Sequence, residues 1–293
     1  MPHGAGDRGD LYPGASQDDG KGGPSPLGAG LYPAIGAGPD RGWIDAYENK
    51  GKTTGAFSCG VYGVHPYVLL NYTDTLDDVF TLAHEMGHAI HSYRSDQAQT
   101  YANHDYAIFV AEVASTVNEV LLTLYLLEKE TDPRKRAYYL NHFLEGFRTT
   151  LFRQTLFAEF EKQTHEMAEA GQPLTPEALN QVYRALNAQY YKGAVVDPLQ
   201  DMEWARIPHF YNAFYVYQYA TGFSAAVAIA AKIRQTGDAS GYLAFLQTGG
   251  SDYPIQELKL AGVDLSKPDT VEAALDVFAK SVAELEALLQ GLE

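Results

Sequence analysis

The sequence predicts a mostly α-helical protein with a small β-hairpin near its N-terminal side. Most of the chain after residue 75 consists of segments with helical apolar periodicity, which begin at capping residues and end at Gly or Pro. Only residues 53–72 have an extended pattern, interrupted by glycines and by Pro66. These two observations place the strands early in the chain and the helices after them.

Residues 1–41 differ in composition from the rest of the chain. They are crowded with Gly, Pro and Asp and keep neither a helical nor an alternating period. Such a segment buries too little apolar surface to offset its backbone entropy. We therefore expect a disordered or atypical Gly/Pro-rich lead-in over residues 1–41 and a helical domain over residues 42–293.

The first long helix is predicted to begin after Thr75, which can cap it. Asp77 and Asp78 fall in its first turn, where the helix dipole favours negative charge. One apolar face runs along it and comprises Val79, Leu82, Ala83, Met86 and Ile90. Further helices are predicted over about 106–130, 134–170, from Thr175, 208–235, 238–246, 251–262 and 270–290.

Charge and composition exclude several classes of function. The chain has 293 residues, with 21 Lys and Arg against 37 Asp and Glu, for a formal charge of −16. So acidic a chain is a poor candidate for binding nucleic acid or anionic lipid. Its one cysteine, Cys59, cannot form an internal disulfide. No apolar run approaches the ~20 residues that span a bilayer, and no secretory signal is evident. We expect a cytoplasmic protein.

The pattern HEMGH at residues 84–88 is typical of a zinc-binding site. Residues four apart share one face of a helix, so His84 and His88 can present two imidazoles to one zinc ion. Glu85 is rotated away from the first imidazole and can act as general base for a zinc-bound water. Gly87 leaves room against the helix for substrate or for a partner helix. The pattern predicts one Zn²⁺ per chain.

A catalytic zinc takes a third protein ligand, for which Glu112 is the favoured candidate. It lies in an apolar stretch of the second predicted helix, where a carboxylate without a cation is costly to bury. The alternative is a half-exposed glutamate on a solvated face. His91 follows His88 by three residues and is interpreted as a structural or surface histidine rather than as a ligand.

The histidine ligands of zinc usually donate their second N–H to a carboxylate or a carbonyl. By sequence, the carboxylates that could accept it are Asp77, Asp78 and Glu119. Glu119 lies two turns after Glu112 on the same helical face. The two aspartates are better suited to the start of their helix.

Four segments resemble the oligoendopeptidase F group of the thimet oligopeptidase family. They are residues 82–88 and 109–115, which hold the candidate ligands, and residues 43–52 and 207–222. The resemblance implies a helical, zincin-like catalytic domain around a deep channel. It implies zinc on His84, His88 and Glu112, with Glu85 as base and proton shuttle. The implied substrates are short unstructured peptides, cut at internal bonds.

The same resemblance implies roles for later and earlier residues. His209 and Tyr219 would hold the carbonyl and the developing oxyanion, with Tyr215 and Tyr217 as further candidates for binding substrate. A phenol O–H or an imidazole N–H suits that task, although aromatic helices are usually core. Gly60, Tyr62 and Gly63 resemble an edge strand that pairs with the substrate backbone, or form an ordinary glycine-rich turn.

The chain departs from the family at its N-terminal side. Family members are longer, and their N-terminal half forms the other wall of the channel, which residues 1–41 do not resemble. We hypothesise a shifted reading frame or a truncated gene, which sequencing the DNA around codon 41 would test.

The sequence leaves three functions open: an active oligopeptidase, a zinc-binding but catalytically incompetent fragment that acts with another chain, and a carboxypeptidase or dipeptidase. An exposed channel wall would favour a homodimer.

Overall fold

The structure is a computed structural model that describes residues 42–292. The predicted lead-in over residues 1–41 lies outside the described residues. The mostly helical fold class is confirmed, with a small sheet on the N-terminal side.

The described chain divides into two compact units. The first comprises the described residues through Lys129 together with Ala225–Ala274, and the second comprises Glu130–Ser224 together with Leu275–Glu293. The domain that the sequence predicts over residues 42–293 thus contains two such units.

The sheet belongs to the first unit and has three short strands. They are β1 (Ile44–Asp45), β2 (Phe57–Cys59) and β3 (Tyr67–Leu69), in the order β1-β3-β2. Strand β3 pairs antiparallel with β2 and parallel with β1, so that Val68 faces both Ser58 and Ile44 in register. The predicted hairpin is confirmed as β2 and β3, and β1 was not predicted.

The two helices that follow the sheet contain the candidate ligands. They are α1 (Leu76–Ala98) and α2 (Ile108–Lys129), and they pack closely on each other. Helix α1 begins as predicted: the Thr75 hydroxyl accepts from the Asp78 backbone N–H, and the Asp78 carboxylate accepts from the Thr75 backbone N–H. This reciprocal cap fixes the first residue of the helix and hence which side chains lie on each of its faces.

The second unit is also helical. Helix α3 (Pro133–Gly146), a π-helical turn (Phe147–Phe152) and α4 (Arg153–Glu169) occupy the range predicted as one helix. Helix α5 (Pro176–Tyr190) is capped by Thr175, as predicted. Two 3₁₀ segments follow, Pro198–Arg206 and Pro208–Tyr211. The sequence analysis did not predict a 3₁₀ conformation for either of them.

The last part of the chain corrects one predicted helix. Helix α6 spans Tyr217–Thr236, so the helix predicted from residue 208 is wrong over its first nine residues. The backbone between the 3₁₀ turn and α6 reverses at Phe214, whose φ is 57°. The helices α7 (Ser240–Phe245), α8 (Pro254–Leu260) and α9 (Asp269–Gln290) agree with the prediction.

Each unit has its own apolar core. In the first unit, buried side chains from β3, α1, α2, α6, α7 and α8 form one cluster, which includes Leu70, Met86, Val113, Ile229 and Phe245. In the second, α4, α5 and the residues around the 3₁₀ turn form another, which includes Leu156, Phe160, Tyr183, Ile207 and Val216. Both clusters hold helices by burial of apolar area.

Among the described residues, α2 alone is long and apolar enough, by length and composition, to cross a membrane. In its most apolar window, 44% of the helix is buried inside the fold. Val110, Val113 and Val117 lie within the apolar core. Such a pattern is typical of the central helix of a globular unit.

Helices α1 and α2 approach each other closely at Gly87. A Cβ at this position would lie 2.5 Å from the Cα of Ser115 and 2.7 Å from the carbonyl oxygen of Ala114. Both contacts are with backbone, which cannot swing aside as a flexible side chain can. Of the two roles that the sequence left open for Gly87, the structure supports room for a partner helix.

We predict that Gly87→Ala destabilises the protein by about 1–3 kcal/mol, because the added methyl group forces the two helix backbones apart. Chemical denaturation measures this as a lower midpoint. The matched control is Gly146→Ala, since a Cβ there meets only the Phe223 ring at 3.6 Å. That substitution should be neutral or stabilising, and equal losses in both variants would contradict the explanation.

Candidate metal centre

Helix α1 presents two histidines to one point. The Nε2 atoms of His84 and His88 lie 3.1 Å apart, and their ring centroids are 4.8 Å apart. The two side chains are 28% and 18% exposed, so neither is fully buried in the core. Two imidazole nitrogens that face each other at this distance need a proton or a cation between them.

Helix α2 completes the group with Glu112. Its Oε2 atom lies 3.3 Å from Nε2 of His84 and 3.5 Å from Nε2 of His88. Ligands at the usual distances around a tetrahedral zinc are about 3.3–3.6 Å from each other. The spacings of 3.3 and 3.5 Å lie in this range, and the 3.1 Å between the two nitrogens is slightly shorter. Two imidazoles with one carboxylate form a donor set that zinc accepts.

Three further contacts orient the ligands. Oε1 of Glu119 lies 2.5 Å from Nδ1 of His84, which fixes that ring with Nε2 turned to the centre. The Ser115 hydroxyl donates to Oε2 of Glu112 at 3.0 Å, and the Asn118 amide donates to the carbonyl of Ala83 at 3.0 Å. Glu119 is thus the carboxylate partner among the three that the sequence proposed.

Protonation of the metal-free group follows from these contacts. Burial lowers the pKa of His84, but hydrogen bonds to Glu112 and Glu119 outweigh that effect and raise the pKa to about 10. Burial raises the pKa of Glu112, and hydrogen bonds from His84 and His88 reverse the effect and hold that pKa below its usual range. These shifts favour a positively charged His84 beside a negatively charged Glu112.

Glu85 lies on the same helix as the two histidines and is buried, at 7% exposure. Burial raises the pKa of its carboxyl, while the charges of His84 and His88 oppose the shift. A carboxylate with a raised pKa accepts a proton more readily, as a general base must.

His91 has a structural role. It is fully buried and its ring stacks on that of Tyr106, with centroids 3.8 Å apart. Burial lowers the pKa of His91 to about 3, so the ring stays neutral. The prediction that it is not a metal ligand agrees with this packing, and the surface alternative is wrong.

The late candidates lie in the second unit and contact one another. The ring centroid of His209 is 5.9 Å from that of Tyr215 and 6.0 Å from that of Tyr219, and the Tyr219 hydroxyl donates to the Tyr215 hydroxyl at 3.3 Å. Tyr217 begins α6. The role of these four residues at the metal stays a prediction.

The early candidates Gly60, Tyr62 and Gly63 lie in the turn beyond β2, and the strand structure suggested there is wrong. The Val64 backbone N–H donates to the carbonyl of Val61 at 3.1 Å, which closes the turn. A Cβ on Gly60 would lie 2.8 Å from Cβ of Ser92, so this residue is the point where the turn meets α1. Binding of substrate by these three residues stays a prediction.

Sequence reasoning missed the roles of Ser115 and Asn118. Ser115 follows Glu112 by three residues and so lies near its face of α2, whereas Asn118 follows by six and does not. For Ser115 that spacing was the only available signal. A serine or an asparagine inside an apolar helical stretch is as often explained by a bond to its own backbone.

Two histidines on one helix, a glutamate from the next helix and a buried glutamate beside them form a candidate metal centre of the zincin type. A model described as Peptidase family M3 matches residues 35–277. The chain belongs to peptidase family M3, a family of metallopeptidases. The sequence resemblance to its oligoendopeptidase F group is confirmed.

Named relatives agree. The chain is 50% identical to the oligopeptidase PepF of Bacillus subtilis (strain 168) over 272 residues, which are 92% of this chain and 41% of that protein. It is 48% identical to an oligoendopeptidase F homolog of Lactococcus lactis subsp. lactis (strain IL1403), over 85% of this chain and 42% of that protein. The chain thus spans about two-fifths of the length of these curated relatives.

Solved structures show the same fold. Oligoendopeptidase-F from Enterococcus faecium has a TM-score of 0.66 at 51% identity, over 73% of this chain and 40% of that one. A protein from Chlamydophila abortus has a TM-score of 0.84 at 45% identity, over 90% of this chain and 45% of that one.

We predict that zinc affinity rises with pH. The pKa of His84 is about 10 in the metal-free protein, so zinc must displace a proton at every lower pH. The apparent association constant should rise about tenfold per pH unit between about pH 6 and pH 8. Competition with a chromophoric chelator measures it, and a flat profile would show that His84 is already neutral.

We also predict that Glu119→Ala weakens zinc binding by about 10–100-fold, because the His84 ring loses the partner that orients it. Equilibrium dialysis measures the change. Glu272→Ala is the control, since it removes the same charge from an exposed position at the start of α9. Similar losses in both variants would assign the effect to overall charge.

Proposed function

We propose that this chain is the catalytic half of a zinc-dependent oligoendopeptidase, which hydrolyses internal bonds of short peptides. The observation that carries the proposal is the convergence of His84, His88 and Glu112 to within 3.5 Å of one another, with Glu85 on the same helix. The names of the relatives, oligopeptidase and oligoendopeptidase F, support the substrate class.

When bound, zinc would supply a Lewis acid that polarises the attacking water and the peptide carbonyl. Glu85 takes a proton from this water as its oxygen forms a bond to the carbonyl carbon. The carboxyl of Glu85 then gives the proton to the peptide nitrogen as the C–N bond breaks, and a carboxylic acid and an amine are formed. Transfer of the second water proton from this acid to the amine gives the carboxylate and the ammonium product. Glu85 ends each cycle as the carboxylate with which it began.

The family resemblance assigns stabilisation of the negative charge on the carbonyl oxygen to His209 and Tyr219. The imidazole N–H of His209 and the phenol O–H of Tyr219 are groups that can do so. Their mutual contacts with Tyr215 support a shared role. Tyr217 is a further candidate for contact with substrate.

Substrate would be recognised through its backbone. Strand β2 has one neighbour, β3, in the described sheet, so its other edge can pair with an extended peptide. Gly60, Tyr62 and Gly63 follow that edge directly.

We propose a cytoplasmic location, because the single cysteine, Cys59, is free and exposed.

A second candidate function is a zinc-binding fragment that needs another chain for activity. The observation that favours it is length, since the chain spans only 41% of the Bacillus subtilis relative. The partner would be a second copy or a separate chain. Size-exclusion chromatography with light scattering, with and without zinc, tests the homodimer.

We predict that Glu85→Gln keeps zinc but lowers cleavage of a quenched decapeptide by about 10²–10⁴-fold, because the amide cannot accept the proton. Activity and zinc content are measured on one preparation. Glu112→Gln is the matched control, since it should lose zinc as well as activity. A chelator should abolish wild-type cleavage, and zinc should restore it.

Two outcomes decide between the candidates. Stoichiometric zinc without any wild-type cleavage would favour the fragment, and cleavage that survives Glu85→Gln would exclude the proposed base. Product masses from the decapeptide identify the specificity. Internal cuts support an endopeptidase, and the loss of single or paired terminal residues indicates a carboxypeptidase or a dipeptidase.

A further inference from the structure

Phe214 has a backbone conformation that its side chain does not favour. Its φ is 57°, and among the described residues the one other non-glycine residue with a positive φ is Asp74. Aspartate tolerates the left-handed region, whereas a bulky phenylalanine there is an outlier. The ring is also 50% exposed, so burial does not explain the conformation. Strain of this kind persists only where the surroundings impose it.

Helix α4 imposes it through two residues one turn apart. Oε1 of Glu161 accepts a hydrogen bond from the backbone N–H of Phe214 at 2.7 Å. The ring of His165 lies against the Phe214 ring, with centroids 4.7 Å apart. One side chain thus holds the Phe214 backbone and the other holds its ring.

Packing alone does not favour a glutamate at position 161. It is 4% exposed, and its neighbour Phe160 belongs to the apolar core of the second unit. A carboxylate buried beside such a core is destabilising unless it is hydrogen-bonded. An alanine or an apolar residue would suit the position better if packing were all that it served.

In sequence, the reversal at Phe214 lies between His209 and the pair Tyr215 and Tyr219, whose side chains contact one another. Backbone bonds run from Asn212 N–H to the His209 carbonyl at 2.9 Å and from Tyr215 N–H to the Asn212 carbonyl at 3.1 Å. Immediately after the reversal, the Tyr219 N–H donates to the Val216 carbonyl at 3.3 Å and α6 begins. The reversal at Phe214 is therefore what returns Tyr215 and Tyr219 to the ring of His209.

We propose that Glu161 is a positioning residue, which holds the left-handed turn at Phe214 and thereby the group of His209, Tyr215 and Tyr219. Its effect on peptide cleavage rests on the function proposed above. Its effect on the conformation of residues 209–219 does not.

The first test is cleavage of the quenched decapeptide by zinc-loaded full chains. Glu161→Ala should lower kcat by about 10²-fold through misplacement of the group, with zinc content unchanged. Glu161→Gln should retain most of the activity, because its amide oxygen can still accept from Phe214. Glu166→Ala is the control, since it removes an exposed carboxylate from the same helix and should match the wild type.

The second test asks whether the strain is the link. Glycine adopts a left-handed conformation without penalty, so Phe214→Gly needs no clamp. In that background the loss caused by Glu161→Ala should shrink at least about tenfold. An equal loss in both backgrounds would assign Glu161 to packing alone and overturn the proposal.

The third test does not need activity. Hydrogen exchange measured by mass spectrometry should rise over residues 209–219 in Glu161→Ala and stay low in Glu161→Gln. If the wild type binds zinc but cleaves nothing, the proposed function fails, and this result alone decides the positioning role. Unchanged exchange over residues 209–219, or full activity of Glu161→Ala in an active protein, would overturn it.

Discussion

The contact between the backbones of α1 and α2 at Gly87 governs the metal centre. Because residue 87 has no side chain, α2 approaches α1 until Ser115 lies against it. That distance lets the carboxylate of Glu112 reach both imidazoles from the neighbouring helix. The Asn118 amide, bonded to the carbonyl of Ala83, sets the axial register of the two helices beside His84.

The electrostatics of the site depend on that approach. Two carboxylates, Glu112 and Glu119, contact opposite nitrogens of one imidazole, that of His84. Without a positive charge among them, two half-buried carboxylates so close would repel each other. The raised pKa of His84 favours a positive charge between them, and the donor set and spacing also suit zinc. Buried Glu85, on the same helix, is the base of the proposed mechanism.

In the second unit, three neighbouring aromatic side chains come from an irregular stretch of backbone. His209 comes from a 3₁₀ turn, Tyr215 from the reversal after it, and Tyr219 from the first turn of α6. Ile207 and Val216, on either side of the reversal, are buried in the core of the second unit. Between them, Glu161 and His165 contact the strained Phe214. A loop held at these three points has few alternative conformations.

The sequence by itself determined the helical class, the cap at Thr75 and the pairing of His84 with His88, because these depend on spacing along a single helix or on neighbouring residues. Glu112 was a candidate because of its apolar setting and the family resemblance, and the tertiary structure brings it to the two histidines. The sequence also pointed to Glu119, which shares a helical face with Glu112. It did not predict β1, whose pairing with β3 joins residues distant in sequence. It missed the break at Phe214, where an aromatic-rich pattern looks helical throughout. Only the tertiary structure assigned roles to Ser115, Asn118 and Glu161, because each acts through a contact between elements, and periodicity within one element carries no record of such contacts.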